Sequence, residues 1–168
     1  MRFSVLNRKV HKWGGIAVAV PLLVIALSGV ALQFKKEVDW IQPATQKGES
    51  RIPSISFDKI LTIAQSVPEA AIESWNDIDR LDVRPGKGMV KVQANNCWEI
   101  QIDTATGEVL QKAYRRSDLF ENIHDGTFFH DRVKLVLFFP VALVLLLLLI
   151  TGIYIFFQPM IARNNRKV

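Results

Sequence analysis

Three histidines, His11, His124 and His130, are the residues of this sequence whose type and position could support cofactor chemistry. A neutral imidazole nitrogen binds transition metals and haem iron. All three histidines lie near the ends of two long apolar runs, and none lies inside either run. Their positions allow a ligand role close to the two faces of a membrane. The alternative is that they are interfacial polar residues or helix caps.

The two apolar runs, 13–34 and 135–157, contain 22 and 23 residues and no charged side chain. A helix needs roughly 20 apolar residues to cross the hydrocarbon core of a bilayer. Both runs are therefore predicted to be transmembrane helices. A cleaved signal peptide is the alternative for the first run, although the usual apolar core of such a peptide is only about 7–15 residues long.

Basic residues without acidic neighbours flank the two runs on their outer sides. The chain has 21 Lys and Arg residues and 16 Asp and Glu residues, and every acidic residue lies between the runs. The positive-inside rule then predicts that segments 1–12 and 158–168 are cytoplasmic and that the central region is periplasmic, in a bacterial inner membrane. The net charge of +5 is assigned to tails that face anionic lipid and not to nucleic-acid binding.

The region between the runs is predicted to contain one small α+β domain. Residues 35–55 form an exit segment punctuated by proline and glycine, residues 56–112 form the domain, and residues 113–134 form a linker to the second span. The single cysteine, Cys97, has no partner for an intrachain disulfide. It is predicted to be a half-buried thiol, with an intermolecular disulfide as the alternative.

One helix and four strands are predicted within this domain. Ser56 is a suitable N-cap for a helix that runs to Gln65. The apolar residues that share one face of this helix are Phe57, Ile60, Leu61 and Ala64. Strands are predicted at 78–84, 89–93, 98–103 and 108–111, with Trp98, Ile100 and Ile102 on one face of the third. The expected architecture is one helix packed on an antiparallel sheet.

Residues 98–109, WEIQIDTATGEV, resemble the W-E-V-x-x-D-x-x-T-G-E-V pattern of PepSY domains. Two flanking segments are similar to those of PepSY-associated transmembrane proteins. The first is RKVHKWGG at 8–15, which leads into a span containing Leu-Ser-Gly at 27–29. The second is IHDG at 123–126, which precedes a span containing TGIY at 151–154. The resemblance covers roughly residues 8–158 and identifies a small, two-span member with one PepSY-like domain.

This resemblance implies a role in electron transfer. Larger relatives with four or more spans are implicated in haem-mediated electron transfer to flavins or ferric siderophores. It implies that His11 and His124, which lie in the matched motifs, are axial ligands of a non-covalent b-type haem. His130 has no counterpart in the motifs and is a further candidate for cofactor binding. The chain would be an electron-transfer component of a ferric or flavin reductase system, with a periplasmic flavoprotein or ferric siderophore as acceptor.

Helix geometry limits how these histidines could hold haem. A span of 22 residues separates its ends by about 33 Å, so His11 and His124 of one chain cannot bind the same iron. We therefore predict a homodimer in which each histidine pairs with its mate across a four-helix bundle. Small residues suited to close helix approach are Gly14, Gly15, Ala19, Ser28, Gly29 and Gly152.

A different class of function is also compatible with the sequence. The PepSY-like domain could bind a periplasmic peptide or protein by strand addition to the edge of its sheet. The two spans would then be anchors only, and the protein would be a regulatory module or an accessory subunit of a larger membrane complex.

Overall fold

A computed structural model describes residues 3–130 and 132–164. Arg2, Arg166 and Lys167, three of the basic residues that predict the orientation, lie outside the described residues. The chain divides into two compact units. The first, the helical unit, is formed by the residues up to 31 and from 120 onward. The second, the sheet unit, is formed by residues 32–119.

The helical unit contains two long apolar helices, α1 (Phe3–Gln33) and α4 (Phe139–Asn164). The segments long and apolar enough to cross a membrane have 30 residues (Ser4–Gln33) and 27 residues (Lys134–Met160). The two predicted spans are thus confirmed as apolar helices. The predicted N-terminal tail is helical from Phe3, so His11 lies on α1 itself rather than in a segment before the helix.

The second span begins with one π-helical turn at Lys134–Phe138 that passes directly into α4. Pro140 lies two residues beyond this turn. Because proline has no N–H to donate, it disfavours regular α-helical hydrogen bonding to the preceding turn. A π-helical turn is one of the ways in which a helix accommodates such a position.

The sheet unit is built on four antiparallel strands in the order β1-β2-β3-β4. Their bounds are Ile78–Arg84, Met89–Ala94, Trp98–Asp103 and Val109–Tyr114. Helix α2 (Phe57–Gln65) begins after the Ser56 cap, whose side chain accepts a hydrogen bond from the Lys59 amide. The predicted helix and four-stranded antiparallel sheet are therefore confirmed.

Three details of the predicted domain are wrong. Phe57 is 62% exposed, and Ile63 occupies the buried face of α2 instead. The fourth strand begins at Val109 and continues to Tyr114, three residues past its predicted end. The predicted linker contains a further helix, α3 (Ser117–Asp125). Its nine residues are amphipathic but carry too little apolar character for the periodicity to stand out in the sequence.

Both faces of the central strands β2 and β3 are buried, which alternation alone would not predict. One face carries apolar residues of the core, among them Val90, Val92, Ile100 and Ile102. The opposite face carries Lys91, Glu99, Gln101 and other polar residues, also buried.

The exit segment 35–55 covers part of the polar face of the sheet. Gln101 Nε2 donates to the Ala44 carbonyl at 2.9 Å, and Gln101 Oε1 accepts from the Gln46 amide at 2.8 Å. Asp103 Oδ2 accepts from the Glu49 amide at 2.7 Å. Burial of Asp103 acts to raise its pKa, but the hydrogen bonds from backbone amides outweigh this and the pKa lies below its usual value.

At Gly48 the backbone of the exit segment packs closely against the sheet unit. A Cβ at this position would overlap the Gly88 carbonyl oxygen and lie 2.8 Å from Asp103 Oδ2. We expect Gly48→Ala to destabilise the protein by roughly 2–4 kcal/mol, because backbone must move to admit the methyl group. Urea unfolding of the full chain in detergent, followed by tryptophan fluorescence, measures the loss. Gly86→Ala is the control, since a Cβ there has no neighbour within 4 Å, and an equal loss in both variants would contradict the explanation.

Three buried ionisable side chains, Lys91, Glu99 and Arg115, and the half-buried Asp118 form a network on the same polar face. Lys91 Nζ lies 2.7 Å from Glu99 Oε1, and Arg115 Nη1 lies 2.9 Å from Glu99 Oε2. Arg115 also binds Asp118 at 2.9 Å. The side chains of Lys91, Glu99 and Arg115 are 1%, 0% and 6% exposed. The network joins β2, β3 and the end of β4 to the first turn of α3.

Candidate functional site

His11 projects from α1 onto α4. Its Nδ1 lies 2.9 Å from Thr151 Oγ1, and the Thr151 hydroxyl is 3.1 Å from the Leu148 carbonyl. A hydroxyl has only one proton, which is directed to that carbonyl, so we assign His11 Nδ1 as the donor. In the neutral imidazole the lone pair is then on Nε2, the nitrogen that is available to a metal.

His124 makes the corresponding contact from α3 onto α1. Its Nδ1 lies 3.1 Å from the Ile25 carbonyl and 3.1 Å from Ser28 Oγ. The Ser28 hydroxyl itself lies 2.7 Å from the Val24 carbonyl. Because a carbonyl oxygen can only accept, the proton of His124 is assigned to Nδ1, and Nε2 again carries the lone pair.

The two histidines share one arrangement, which we call the hydroxyl–glycine seat. Each seat is a Ser or Thr followed by Gly, namely Ser28-Gly29 for His124 and Thr151-Gly152 for His11. A Cβ on Gly29 would lie 3.2 Å from His124 Cε1, and a Cβ on Gly152 would lie 3.2 Å from His11 Cε1. The glycine thus lets the imidazole lie directly against the helix. The tautomer is assigned from the Thr151 hydroxyl for His11 and from the Ile25 carbonyl for His124.

The seats give specific roles to residues that the sequence suggested only as small helix surfaces. Ser28, Gly29 and Gly152 contact an imidazole within the same chain. Gly14 faces Leu148 and Val144 of α4, whereas a Cβ on Gly15 would meet nothing within 4 Å. The signal that could have revealed the seats is the repetition of a hydroxyl–glycine pair, once in each apolar run, alongside one histidine motif per run.

His130 lies outside both seats. It follows α3, is exposed, and its Nδ1 accepts a hydrogen bond from the Arg132 amide at 3.1 Å. The neutral form of His130 therefore carries its proton on Nε2, the reverse of the other two histidines. The structure brings His130 together with neither His11 nor His124, and its role in cofactor binding stays a prediction.

The end of α3 is shaped by Gly126 of the IHDG segment. Gly126 adopts φ +85°, and a Cβ there would lie 2.7 Å from the Phe138 ring. Next to it, Asp125 accepts hydrogen bonds from the Thr127 hydroxyl at 2.6 Å and the Thr127 amide at 3.0 Å. Burial acts to raise the pKa of Asp125, but Thr127 and Lys134 outweigh it and lower the pKa. These contacts stop α3 directly after His124.

The two seats lie at different levels of the helical unit. Along α1, His11 and Ser28 are 17 residues apart, which corresponds to about 25 Å. One iron cannot therefore bind both histidines of a single chain. The described residues contain no group of three or more His, Cys, Asp and Glu side chains that could hold a metal ion. Each seat offers one imidazole ligand, which is the contribution expected of a single axial haem ligand.

An apolar groove lies beside the His11 seat. It has a volume of about 340 Å³ and is lined by α4 residues. The lining residues are Leu148, Leu149, Gly152, Ile153, Phe156 and Phe157. Gly152 belongs both to this groove and to the His11 seat, but His11 itself is not among the residues that line the groove.

Comparison with known families places these features in context. The sequence profile described as the PepSY-associated TM region matches residues 8–167. The chain belongs to the PepSY-associated transmembrane family. The matched region includes both seats and all three histidines, and it confirms the resemblance seen in the sequence motifs. No individually curated protein matches the chain significantly. With two apolar helices and this family assignment, the protein is a membrane protein.

Proposed function

We propose that this PepSY-associated protein binds b-type haem at His11 and His124 and serves as an electron-transfer component of the bacterial inner membrane. The observation that carries the proposal is the pair of hydroxyl–glycine seats, in which Nδ1 of each imidazole lies against an oxygen of the neighbouring helix and is assigned the ring proton. Bound haem would supply one-electron redox chemistry to a periplasmic flavoprotein or ferric chelate. The residues of the chain would supply the ligands and their orientation.

The seats support a ligand role more directly than an anchoring role. A metal-binding histidine generally donates its second ring N–H to a carbonyl, carboxylate or water, which fixes the tautomer and raises ligand basicity. Thr151 provides such an acceptor for His11, and Ile25 and Ser28 provide it for His124. A histidine that served only as an interfacial anchor would direct its polar edge toward water or lipid headgroups.

A homodimer is part of the proposal, because one chain gives one ligand per seat. Two copies would place four spans together and let each histidine pair with its mate. The charge pattern supports an orientation with cytoplasmic termini and a periplasmic sheet unit. Covalent haem attachment is not part of it, since the sequence has one cysteine and no C-x-x-C-H segment.

The second candidate function is a membrane-anchored binding module. It is favoured by the small cavity of about 160 Å³ beside strand β1, an edge of the sheet. The cavity is lined mainly by apolar residues, including Phe57 and Val83, both substantially exposed. An extended peptide could add to this edge and place an apolar side chain in the cavity.

The visible spectrum of the full chain tests the proposal. The protein is expressed with ample haem, purified in mild detergent, and recorded oxidised and dithionite-reduced, with a pyridine haemochrome assay to count haem per chain. We expect a b-type Soret band that shifts on reduction and is absent from the double variant His11→Ala, His124→Ala. A colourless wild-type protein that is folded by circular dichroism would overturn the haem proposal and favour the binding module.

A further inference from the structure

A second cavity, in the sheet unit, carries a strong positive charge. It has a volume of about 340 Å³ and lies between the start of the exit segment and the β1–β2 turn. The lining residues are Lys36, Gln42, Pro43, Ala44, Thr45, Arg84 and Lys87. We call it the basic pocket. It is separate from both histidine seats and from the edge cavity beside β1.

Three cations and no carboxylate line the basic pocket. Lys36 comes from the exit segment, Arg84 from the end of β1, and Lys87 from the following turn. Asp82 neutralises part of this charge, since its Oδ2 accepts from Arg84 Nε at 2.8 Å and Nη2 at 2.6 Å. The Arg84 guanidinium also lowers the pKa of Asp82. The two lysines leave a net positive charge that attracts an anion.

The pocket wall also includes an unsatisfied acceptor. Gln42 Oε1 is buried and has no hydrogen-bond partner among the described residues. A buried acceptor without a donor is unfavourable, and a ligand that supplies an O–H or N–H removes that penalty once the Gln42 side chain rotates to present Oε1 to the pocket. Thr45, whose hydroxyl is 3.3 Å from Arg84 Nη1, adds a further polar group to the lining. The ligand is therefore an anion that also carries a hydrogen-bond donor.

One residue of the basic pocket, Lys36, is separated from the first span by only a few residues of chain. Lys36 follows Gln33, the last residue of α1, by only three positions. Three residues span at most about 10 Å, which is comparable with the depth of the headgroup layer. A phosphate carried by a lipid headgroup is within reach of Lys36, and so is a free phosphate in solution.

We propose that the basic pocket binds a phosphate group that bears a hydrogen-bond donor, as in a phosphatidylglycerol headgroup or a protonated inorganic phosphate. Lys36, Lys87 and Arg84 contact the anion, and Gln42 accepts from its donor. This proposal does not depend on haem binding, and the His11→Ala, His124→Ala variant is expected to retain it.

The test compares two double variants of the full chain with equal change in charge. The pocket variant carries Lys36→Gln and Lys87→Gln. The control variant carries Lys59→Gln and Lys112→Gln, which change two exposed lysines elsewhere in the sheet unit. Inorganic phosphate is titrated in detergent by calorimetry, with chloride as the comparison anion. Lipid retention is measured by native mass spectrometry after release from nanodiscs of phosphatidylglycerol and phosphatidylcholine. Urea unfolding checks that both variants are folded.

We expect saturable phosphate binding that is at least about tenfold weaker in the pocket variant, because two charges within a few ångströms of the anion are lost, and unchanged in the control variant. Preferential retention of phosphatidylglycerol, lost in the pocket variant only, identifies the lipid as the source. Phosphate binding without lipid retention identifies the free anion. Absence of both, or equal weakening in the two variants, overturns the proposal.

Discussion

Replacing Glu99 with glutamine is expected to destabilise the sheet unit by about 3–5 kcal/mol, the usual cost of breaking a buried ion pair by removing one partner. Glu99 is fully buried and binds Lys91 through one oxygen and Arg115 through the other. In the variant, Arg115 still forms an ion pair with Asp118, but Lys91 has no other carboxylate partner among its described contacts. Urea unfolding of the full chain, with amide hydrogen exchange of β2 and β3, measures the loss.

The pH dependence of the Glu99→Gln variant gives a second measurement. Burial lowers the pKa of Lys91, and the bond to Glu99 opposes that effect. Removing Glu99 therefore lowers the folded-state pKa further, while the unfolded value stays about 10.4. A lysine whose pKa is lower in the folded state gains stability as pH rises between the two values. The variant should recover stability toward alkaline pH more than the wild type does.

Two controls separate this explanation from a general effect of removing charge. Glu108→Gln changes an exposed carboxylate in the β3–β4 turn and is expected to stay within about 0.5 kcal/mol of wild type. The double variant Lys91→Met, Glu99→Gln removes the stranded cation and should be more stable than Glu99→Gln alone. If the double variant loses as much as the two single variants combined, Lys91 and Glu99 are not energetically coupled.

The contrast between the two faces of the sheet shows what local sequence patterns can predict. Val90, Val92, Ile100 and Ile102 alternate with polar residues, so the strands and their core face follow from the two-residue period of a β-strand. The same alternation predicts that Lys91 and Glu99 face solvent, and it is wrong. They are buried because segment 42–49 and Arg115 cover that face. This covering depends on contacts between residues far apart in the sequence, which no local pattern encodes.

For the candidate site, the sequence predicts the possible ligand residues but not the contacts that position them. Histidine type and position next to the spans predicted three ligand candidates, and the resemblance to the family, which the profile match confirms, implied that His11 and His124 are the axial ligands. The seats were not predictable, because they require that residues 11 and 151, and residues 28 and 124, come together across the helical unit. Helix α3 was also missed, and it is the element that carries His124 onto α1.

Each single histidine substitution is expected to remove the haem of one seat and leave the haem of the other seat bound. If each seat and its mate hold one haem in a dimer, the wild type binds one haem per chain, and His11→Ala and His124→Ala each retain about half of it. The reason is that the two seats are about 25 Å apart along α1 and share no ligand. Pyridine haemochrome assays count the remaining haem. His130→Ala tests the third predicted ligand: because His130 lies outside both seats, we expect this variant to retain the full amount of haem, and a loss would show that His130 also contributes.

Conservative changes to the seats distinguish ligand histidines from merely structural ones. Thr151→Val keeps the shape of the side chain but removes the acceptor bound to His11 Nδ1. Ser28→Ala removes one acceptor from His124, but the Ile25 carbonyl remains at 3.1 Å. Loss of such a supporting hydrogen bond typically weakens metal binding by about 10–100-fold. We therefore expect Thr151→Val to weaken haem binding at the His11 seat by at least tenfold, and Ser28→Ala to have a smaller effect at the His124 seat.

This asymmetry is measured by titrating haem into apoprotein in the His124→Ala and His11→Ala backgrounds, where one seat remains in each. The reduced-minus-oxidised spectrum and the midpoint potential of the bound haem are recorded for each variant. A histidine held only for packing would leave both quantities unchanged, because Thr151→Val and Ser28→Ala conserve most of the volume at each seat. Equal effects of the two substitutions would contradict the assignment of Ile25 as the second acceptor. A larger effect of Thr151→Val would tie haem affinity to the proton on Nδ1, the feature that the two seats have in common.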